Sequence, residues 1–111
     1  MRLLIATAAL VALAGCSTPE ASTHADVARG HALAESNCAR CHAIGALGES
    51  PASEAPPFRT LSRNYSIDTL EEALAEGISV GHPAMPQFEF APDDVDALVA
   101  YLQSIQDEPP N

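Results

Sequence analysis

The sequence predicts an all-α fold with three main helices joined by long loops. Apolar residues recur at helical spacing in three segments, close to residues 26–37, 67–76 and 92–106. No segment has the alternation of apolar and polar residues that is typical of a half-buried strand. The 111 residues are enough for one domain with one small core.

Local signals predict where these helices begin and end. Asp26 is a suitable N-cap for the first helix. Ser66 or Asp68 is expected to cap the second, and Asp68 is followed three residues later by a glutamate, as in a capping box. Gly77 supplies the left-handed residue that ends the second helix. Pro92 stands at the first turn of the third helix, where proline is favoured.

The predicted core is small. Its residues are Val27, Gly30, Leu33 and Ala34 in the first helix, Leu70, Ala73 and Leu74 in the second, and Val95, Leu98, Val99, Leu102 and Ile105 in the third. With two tyrosines, three phenylalanines and no tryptophan, such a domain is marginally stable alone. The loop over residues 43–64 has three prolines and no periodicity. So long a loop fits a compact domain if it wraps a large apolar ligand.

The amino terminus is predicted to be an export signal. Residues 1–15 have an early arginine, an apolar run over residues 3–13 that is too short to span a bilayer, and small residues after it. The Ala-Leu-Ala at residues 12–14 fits ordinary signal peptidase. The "LAGC" ending at Cys16 fits a lipobox, which we favour because the chain has only three cysteines. Cys16 is then lipidated, and residues 16–25 form a flexible tether.

The charge balance limits the partners. The chain has 5 basic and 15 acidic residues, a net charge of −10, and no lysine. This composition excludes nucleic acid as a plausible partner and favours docking on basic protein surfaces. Residues 107–111, "DEPPN", are predicted to be a disordered, solvated tail.

The stretch "NCARCHAIG" contains Cys38, Cys41 and His42 and admits three chemistries. A zinc site needs four ligands, and the fourth would be His31 or His82. A thioredoxin-like dithiol opens a helix that follows a strand, whereas this motif closes a helix. Covalent haem attachment needs two thiols about one helical turn apart, followed by a histidine, in an exported protein. The motif favours the third chemistry.

Met85 is an independent observation in support of haem. It is the only methionine left once residue 1 departs with the signal, and it lies 43 residues after His42 in the proline-flanked stretch "GHPAMPQF". A thioether in such a loop is a candidate sixth ligand of the iron, and ligation by histidine and methionine raises the reduction potential. His82 is the rival ligand.

From residue 26 to residue 105 the chain resembles a class I cytochrome c of the small bacterial periplasmic type. The elements follow in that family's order: a first helix with Gly30, the CARCH motif, a Pro-rich loop, a middle helix, a methionine loop and a last helix ending near Tyr101. The resemblance implies a cytochrome c domain over residues 26–106, wrapped around one covalently bound haem c. Cys38 and Cys41 would hold the haem.

The resemblance also implies specific contacts. Gly30 would let the first helix cross closely against Tyr101 of the last. The carbonyl of Pro56, with Pro57 as the alternative, would accept a hydrogen bond from the axial ligand His42. The candidates for contact with the haem propionates are Tyr65, Arg59 and Arg63.

These observations predict an electron carrier rather than an enzyme, because both axial positions of the iron would be filled by His42 and Met85. The carrier is expected to be a monomer, lipid-anchored on the periplasmic side of a membrane in a Gram-negative bacterium. Its partners would be redox proteins of a respiratory or other periplasmic chain. Two alternatives stay open: a gas- or peroxide-binding haem sensor, and an electron-entry subunit of a larger oxidoreductase.

Overall fold

A computed structural model describes Gly15, residues 19–77 and residues 84–108. It contains α1 (Pro19–Asn37), α2 (Leu70–Glu76) and α3 (Pro92–Ser104). Two 3₁₀ helices, Phe58–Arg63 and Ile67–Thr69, lie between α1 and α2. No strand occurs in these ranges, and the predicted all-α class is confirmed.

Helix α1 begins seven residues earlier than the sequence predicts. The expected N-cap, Asp26, lies inside the helix, which starts at Pro19. Residues 19–25, expected to belong to the flexible tether, are helical instead. Proline suits the first turn of a helix, and the alanines and glutamate after it are good helix formers, so propagation outweighs the capping signal of one aspartate.

The second predicted helix, residues 67–76, ends where expected, but only Leu70–Glu76 is α-helical. Its first turn is the 3₁₀ helix Ile67–Thr69, and neither Ser66 nor Asp68 makes the predicted capping hydrogen bond. The carboxylate of Asp68 instead accepts a hydrogen bond of 2.7 Å from Gln103 Nε2 of α3. Gly77 ends α2 with a φ of +95°, as predicted.

The core lies where α1, α3 and the 3₁₀ helices meet. Its buried residues are Ala34, Phe58, Ile67, Leu98, Tyr101 and Leu102. At the crossing of α1 and α3, a methyl group placed on Gly30 would lie 2.6 Å from the Cβ of Tyr101 and closer still to the carbonyl oxygen of Ala97. The expected contact of Gly30 with Tyr101 is therefore present, and it requires glycine.

The loop over residues 43–64 is less irregular than predicted. Its last part forms the 3₁₀ helix Phe58–Arg63, which Pro57 precedes with a φ of −59°. The Phe58 N–H donates to the carbonyl of Ala43 at 2.9 Å, which ties this helix back to the start of the loop. Because Phe58 is buried in the core, the 3₁₀ helix is a fixed part of the domain.

The residues after α3 are held in place where a disordered tail was predicted. The Asp107 N–H donates to the carbonyl of Arg59 at 2.8 Å, and the hydroxyl of Ser62 donates to the carbonyl of Glu108 at 3.2 Å. The prediction is wrong for residues 107 and 108, because the two arginines of the 3₁₀ helix give the acidic chain end ionic partners.

Three predictions lie outside the described residues: the signal over residues 1–15, of which only Gly15 is described, lipidation of Cys16, and the rival ligand His82. Residues 109–111 also lie outside them. Within the described ranges, none of the helices combines the length and the hydrophobicity that a membrane span requires.

Candidate functional site

The two cysteines of the motif lie on one tight turn at the end of α1. The N–H of Cys38 donates to the carbonyl of Ala34 at 2.8 Å, which continues the helical pattern. The N–H groups of Cys41 and His42 both donate to the carbonyl of Cys38, at 3.1 and 2.9 Å. Both thiols are free and half-buried. The local backbone thus presents two thiols and an imidazole from a single turn.

Burial raises the pKa of the Cys38 thiol to about 11. The thiol is therefore protonated at neutral pH, and a protonated thiol is a poor metal ligand and a poor nucleophile. This protonation state disfavours a reactive dithiol, but it does not weigh against zinc, because a bound zinc ion would itself deprotonate the thiol.

The zinc hypothesis gains no fourth ligand from the part of the chain that the structure describes. No group of three or more histidine, cysteine or acidic side chains there could hold a metal ion. His31, one of the two proposed fourth ligands, is exposed on α1, and its ring packs edge-on against Tyr101 at 5.2 Å between centroids.

His42 is oriented by the proline loop. Its Nδ1 lies 2.8 Å from the carbonyl oxygen of Pro56. Because a carbonyl oxygen only accepts, the Nδ1 must carry the proton, and Nε2 is left as the metal-binding nitrogen of the neutral ring. The ring of Phe58 packs against the imidazole of His42 at a tilt of 44°, with the ring centroids 5.0 Å apart. The contact expected with Pro56, rather than with Pro57, is present.

Arg59 has a buried donor without an acceptor. Its Nη1 is inaccessible to solvent and has no hydrogen-bond partner among the described residues, while its Nε lies 3.8 Å from Asp107 Oδ2. A buried N–H left unpaired is unfavourable by about 1–3 kcal/mol. A carboxylate brought by a bound group would satisfy it. The structure thus contains a feature that fits a haem propionate.

The other two propionate candidates are less suited to that role. Tyr65 is 51% exposed. The side chain of Arg63 is 50% exposed and already forms ion pairs with Asp107 and Glu108. Neither has a buried, unpaired donor in the described part of the chain.

Met85 is half-buried in the described segment 84–91, which leads into α3. This segment is attached to α2 by a hydrogen bond of 3.1 Å from the Phe90 N–H to the carbonyl of Leu74. The rings of Phe88 and Phe90 stack at 5.7 Å. These contacts hold the segment at residues 88 and 90. The role of Met85 as a ligand stays a prediction.

Sequence reasoning missed several residues that hold the site together. The side-chain amide of Gln106 donates to the carbonyls of Phe58 and Leu102 and accepts from the Ser62 N–H, each at 2.8 Å. The hydroxyl of Tyr101 donates to the carbonyl of Ile44 at 2.6 Å, just after the cysteine turn. Phe58 had a usable signal, an aromatic residue directly after two prolines. No sequence pattern indicated the polar contacts of Gln106 and Tyr101.

A comparison with protein families gives a match over most of the chain. The family model described as cytochrome c oxidase, cbb3-type, subunit III, matches residues 25–102. The match includes the cysteine turn, the 3₁₀ helices, α2, the methionine segment and most of α3. No curated protein and no solved structure shows significant similarity to the chain.

Proposed function

The chain belongs to the family described as cytochrome c oxidase, cbb3-type, subunit III, and from that membership we propose that it is a membrane-tethered electron carrier with one haem ligated by His42 and Met85. Residues 25–102 form a c-type cytochrome domain, and such domains transfer electrons through haem. The observation that carries the finer proposal is the hydrogen bond from His42 Nδ1 to the carbonyl of Pro56, which leaves Nε2 for a metal.

Four residues would hold the haem on the side of the cysteine turn. Cys38 and Cys41 would form the thioether bonds, and His42 would supply the nitrogen ligand through Nε2. Arg59 would donate from its buried Nη1 to a propionate oxygen. When bound, the haem iron supplies a one-electron couple between its ferric and ferrous states.

Met85 would supply the second protein ligand of the iron. A thioether ligand raises the reduction potential relative to a second nitrogen ligand, and its presence closes the iron to substrates. A domain with both positions filled transfers electrons without binding a substrate at the iron, so the protein is proposed to be a carrier rather than an enzyme.

The proposed location rests on the amino-terminal sequence. Residues 1–15 would direct export, and acylation of Cys16 would anchor the protein on the periplasmic side of a membrane, because two or three acyl chains hold a protein there stably. The net charge of −10 favours redox partners with basic docking surfaces.

The test is expression in a host with haem-ligation machinery, followed by spectroscopy. We expect a red protein whose haem stays with the chain on extraction with acidified acetone. Met85→Ala should abolish the sulfur-to-iron charge-transfer band of the ferric protein and lower its midpoint potential. Gln87→Ala, at an exposed position two residues away, should change neither. A colourless, zinc-loaded product would overturn the proposal.

A separate experiment tests the anchor. Cys16→Ser should release the protein from membranes into the soluble periplasm and abolish labelling by a radioactive fatty acid. Ser17→Ala leaves the acylated residue unchanged and should remain in the membrane fraction. A wild-type protein that takes up no labelled fatty acid would contradict lipid anchoring.

The family description favours a second candidate function, an electron-entry subunit that stays docked to a larger oxidoreductase. Co-purification with other subunits from solubilised membranes would support this candidate over the free carrier. A wild-type ferric protein without the charge-transfer band would instead indicate an open iron site, as in a gas- or peroxide-binding sensor.

A further inference from the structure

We propose that Asp107 is a positioning residue for Arg59, and that it lowers the midpoint potential of the haem by holding that guanidinium and offsetting its charge. The proposal rests on the proposed function, because it concerns the arginine that would bind a haem propionate. It assigns a role to a residue beyond the end of α3 and outside the region that matches the family model.

Asp107 is attached to Arg59 by both its backbone and its side chain. Its N–H donates to the carbonyl of Arg59 at 2.8 Å, and its Oδ2 lies 3.8 Å from Arg59 Nε. The backbone hydrogen bond fixes where the carboxylate can reach. The same Oδ2 atom accepts a hydrogen bond from Arg63 Nη2 at 3.3 Å. The carboxylate therefore lies between the two guanidinium groups, beside Nε of Arg59, while the buried Nη1 of Arg59 stays available for another acceptor.

The chain around Asp107 is held independently of the ion pair. The preceding residue, Gln106, bonds through its amide to Phe58 and Ser62 of the same 3₁₀ helix. The following residue, Glu108, accepts from the Ser62 hydroxyl through its carbonyl. These contacts to groups other than the arginines indicate that the position of Asp107 is built into the fold rather than set by an exposed, mobile charge pair.

The sign of the effect follows from the charges. The side chain of Arg59 is only 20% exposed, so its charge is screened less than that of Arg63, which is 50% exposed. The ferric haem carries one more positive charge than the ferrous haem. A carboxylate that offsets the charge of Arg59 stabilises the ferric state and lowers the potential. Removing this carboxylate should raise the potential and strengthen the bond from Arg59 to the propionate.

Redox titration of the haem-loaded protein tests the inference with a matched pair of variants. Asp107→Asn and Glu108→Gln each remove one negative charge from adjacent positions. Glu108 Oε1 lies 3.8 Å from Arg63 Nε, and its side chain is 62% exposed. We expect Asp107→Asn to raise the midpoint potential several times more than Glu108→Gln does. In NMR spectra, the chemical shift of the Arg59 Nε–H group should change in Asp107→Asn and stay unchanged in Glu108→Gln.

Two further variants identify the route of the effect. In an Arg63→Gln background, Asp107→Asn should still raise the potential, because the effect is exerted through Arg59. Asp107→Ser also removes the carboxylate, through a smaller side chain, and should likewise raise the midpoint potential. It replaces Asp107→Asn in the experiment if the asparagine variant loads haem poorly.

Two results would overturn the inference while leaving the proposed function intact. One is an equal shift in Asp107→Asn and Glu108→Gln, which would mean that only distance-independent net charge acts. The other is loss of the Asp107→Asn effect in the Arg63→Gln background. A wild-type protein without covalent haem would defeat the proposed function before any variant is compared.

Discussion

Gly30 of α1 and Tyr101 of α3 approach so closely that no side chain fits between them. A Cβ at Gly30 would lie 2.6 Å from the Cβ of Tyr101, and the carbonyl oxygen of Ala97 would be closer still. This crossing places the Tyr101 hydroxyl where it donates to the carbonyl of Ile44, two residues after His42. The packing of the two long helices is thereby joined to the backbone that follows the cysteine turn.

Gly30→Ala should destabilise the protein even though alanine is the better helix former. Overpacking costs about 1–3 kcal/mol, and the helix propensity of alanine offsets about 1 kcal/mol. Because the nearest atom belongs to the backbone and cannot rotate away, we expect the free energy of unfolding to fall by about 2 kcal/mol. Denaturant unfolding of the haem-loaded protein measures this.

Ala32→Gly is the control for Gly30→Ala. It changes an exposed position of the same helix and should lower the free energy of unfolding by about 1 kcal/mol through propensity alone. A Gly30→Ala variant more stable than the wild type would show that propensity, and not the helix crossing, dominates at this position.

Tyr101 should make stability sensitive to alkaline pH. Burial raises the pKa of its phenol above the ordinary value of 10. The folded protein holds this proton more tightly than the unfolded chain, so above pH 10 the unfolded state binds fewer protons. The contribution of Tyr101 to stability is complete below the unfolded pKa and is lost as pH rises through the folded pKa.

Tyr101→Phe should remove that alkaline loss. It should also lower stability at neutral pH by about 1 kcal/mol, because the hydrogen bond to Ile44 is gone. Unfolding measured at several pH values from neutral to 11 gives both quantities. Tyr65→Phe, at a half-exposed ring, serves as the control and should keep the wild-type stability at neutral pH. Equal slopes in wild type and Tyr101→Phe would contradict the assignment.

Gln106 should contribute more to stability than its neighbour Gln103. Gln106→Ala removes three hydrogen bonds and leaves the Ser62 N–H without its acceptor. We expect a loss of about 2 kcal/mol in the free energy of unfolding. Gln103→Ala removes one exposed bond to Asp68, and its loss should stay below about 1 kcal/mol. Similar losses in the two variants would mean that the chain after α3 does not support the 3₁₀ helix.

The sequence predicted the elements whose signals are local. The apolar stripe of α3, the proline at its start and the glycine after α2 each act within a few residues, and all three have the expected place in the structure. The start of α1 was misplaced because one capping residue competed with a stretch of good helix formers, and local signals do not decide between them.

The site was predicted in part, and by two different kinds of reasoning. The cysteine turn follows from residue spacing, whereas the contacts of His42 with Pro56 and of Gly30 with Tyr101 were implied by a family resemblance. The pairing of Arg59 with Asp107 was not predictable. It joins residues far apart in the chain, and periodicity carries no information about which charged side chains meet.

The rate of electron transfer should depend on ionic strength with a sign set by the charge of the reagent. The net charge of −10 attracts cations and repels anions. Added salt screens both effects, with a Debye length of about 8 Å at physiological ionic strength. Oxidation of the reduced protein by a cationic cobalt complex should therefore slow as salt is added, and oxidation by ferricyanide should accelerate.

A set of variants on α2 shows whether this charge acts locally. Glu71, Glu72 and Glu76 are exposed, and no ion pair engages them within the described ranges. Neutralising all three to glutamine should flatten the salt dependence of the cationic reagent. Neutralising Glu35, Glu49 and Glu54, which are equally exposed, removes the same charge elsewhere. A larger effect on α2 would place the electron-transfer face near that helix. Salt slopes of the same sign for both reagents would contradict electrostatic steering by the protein.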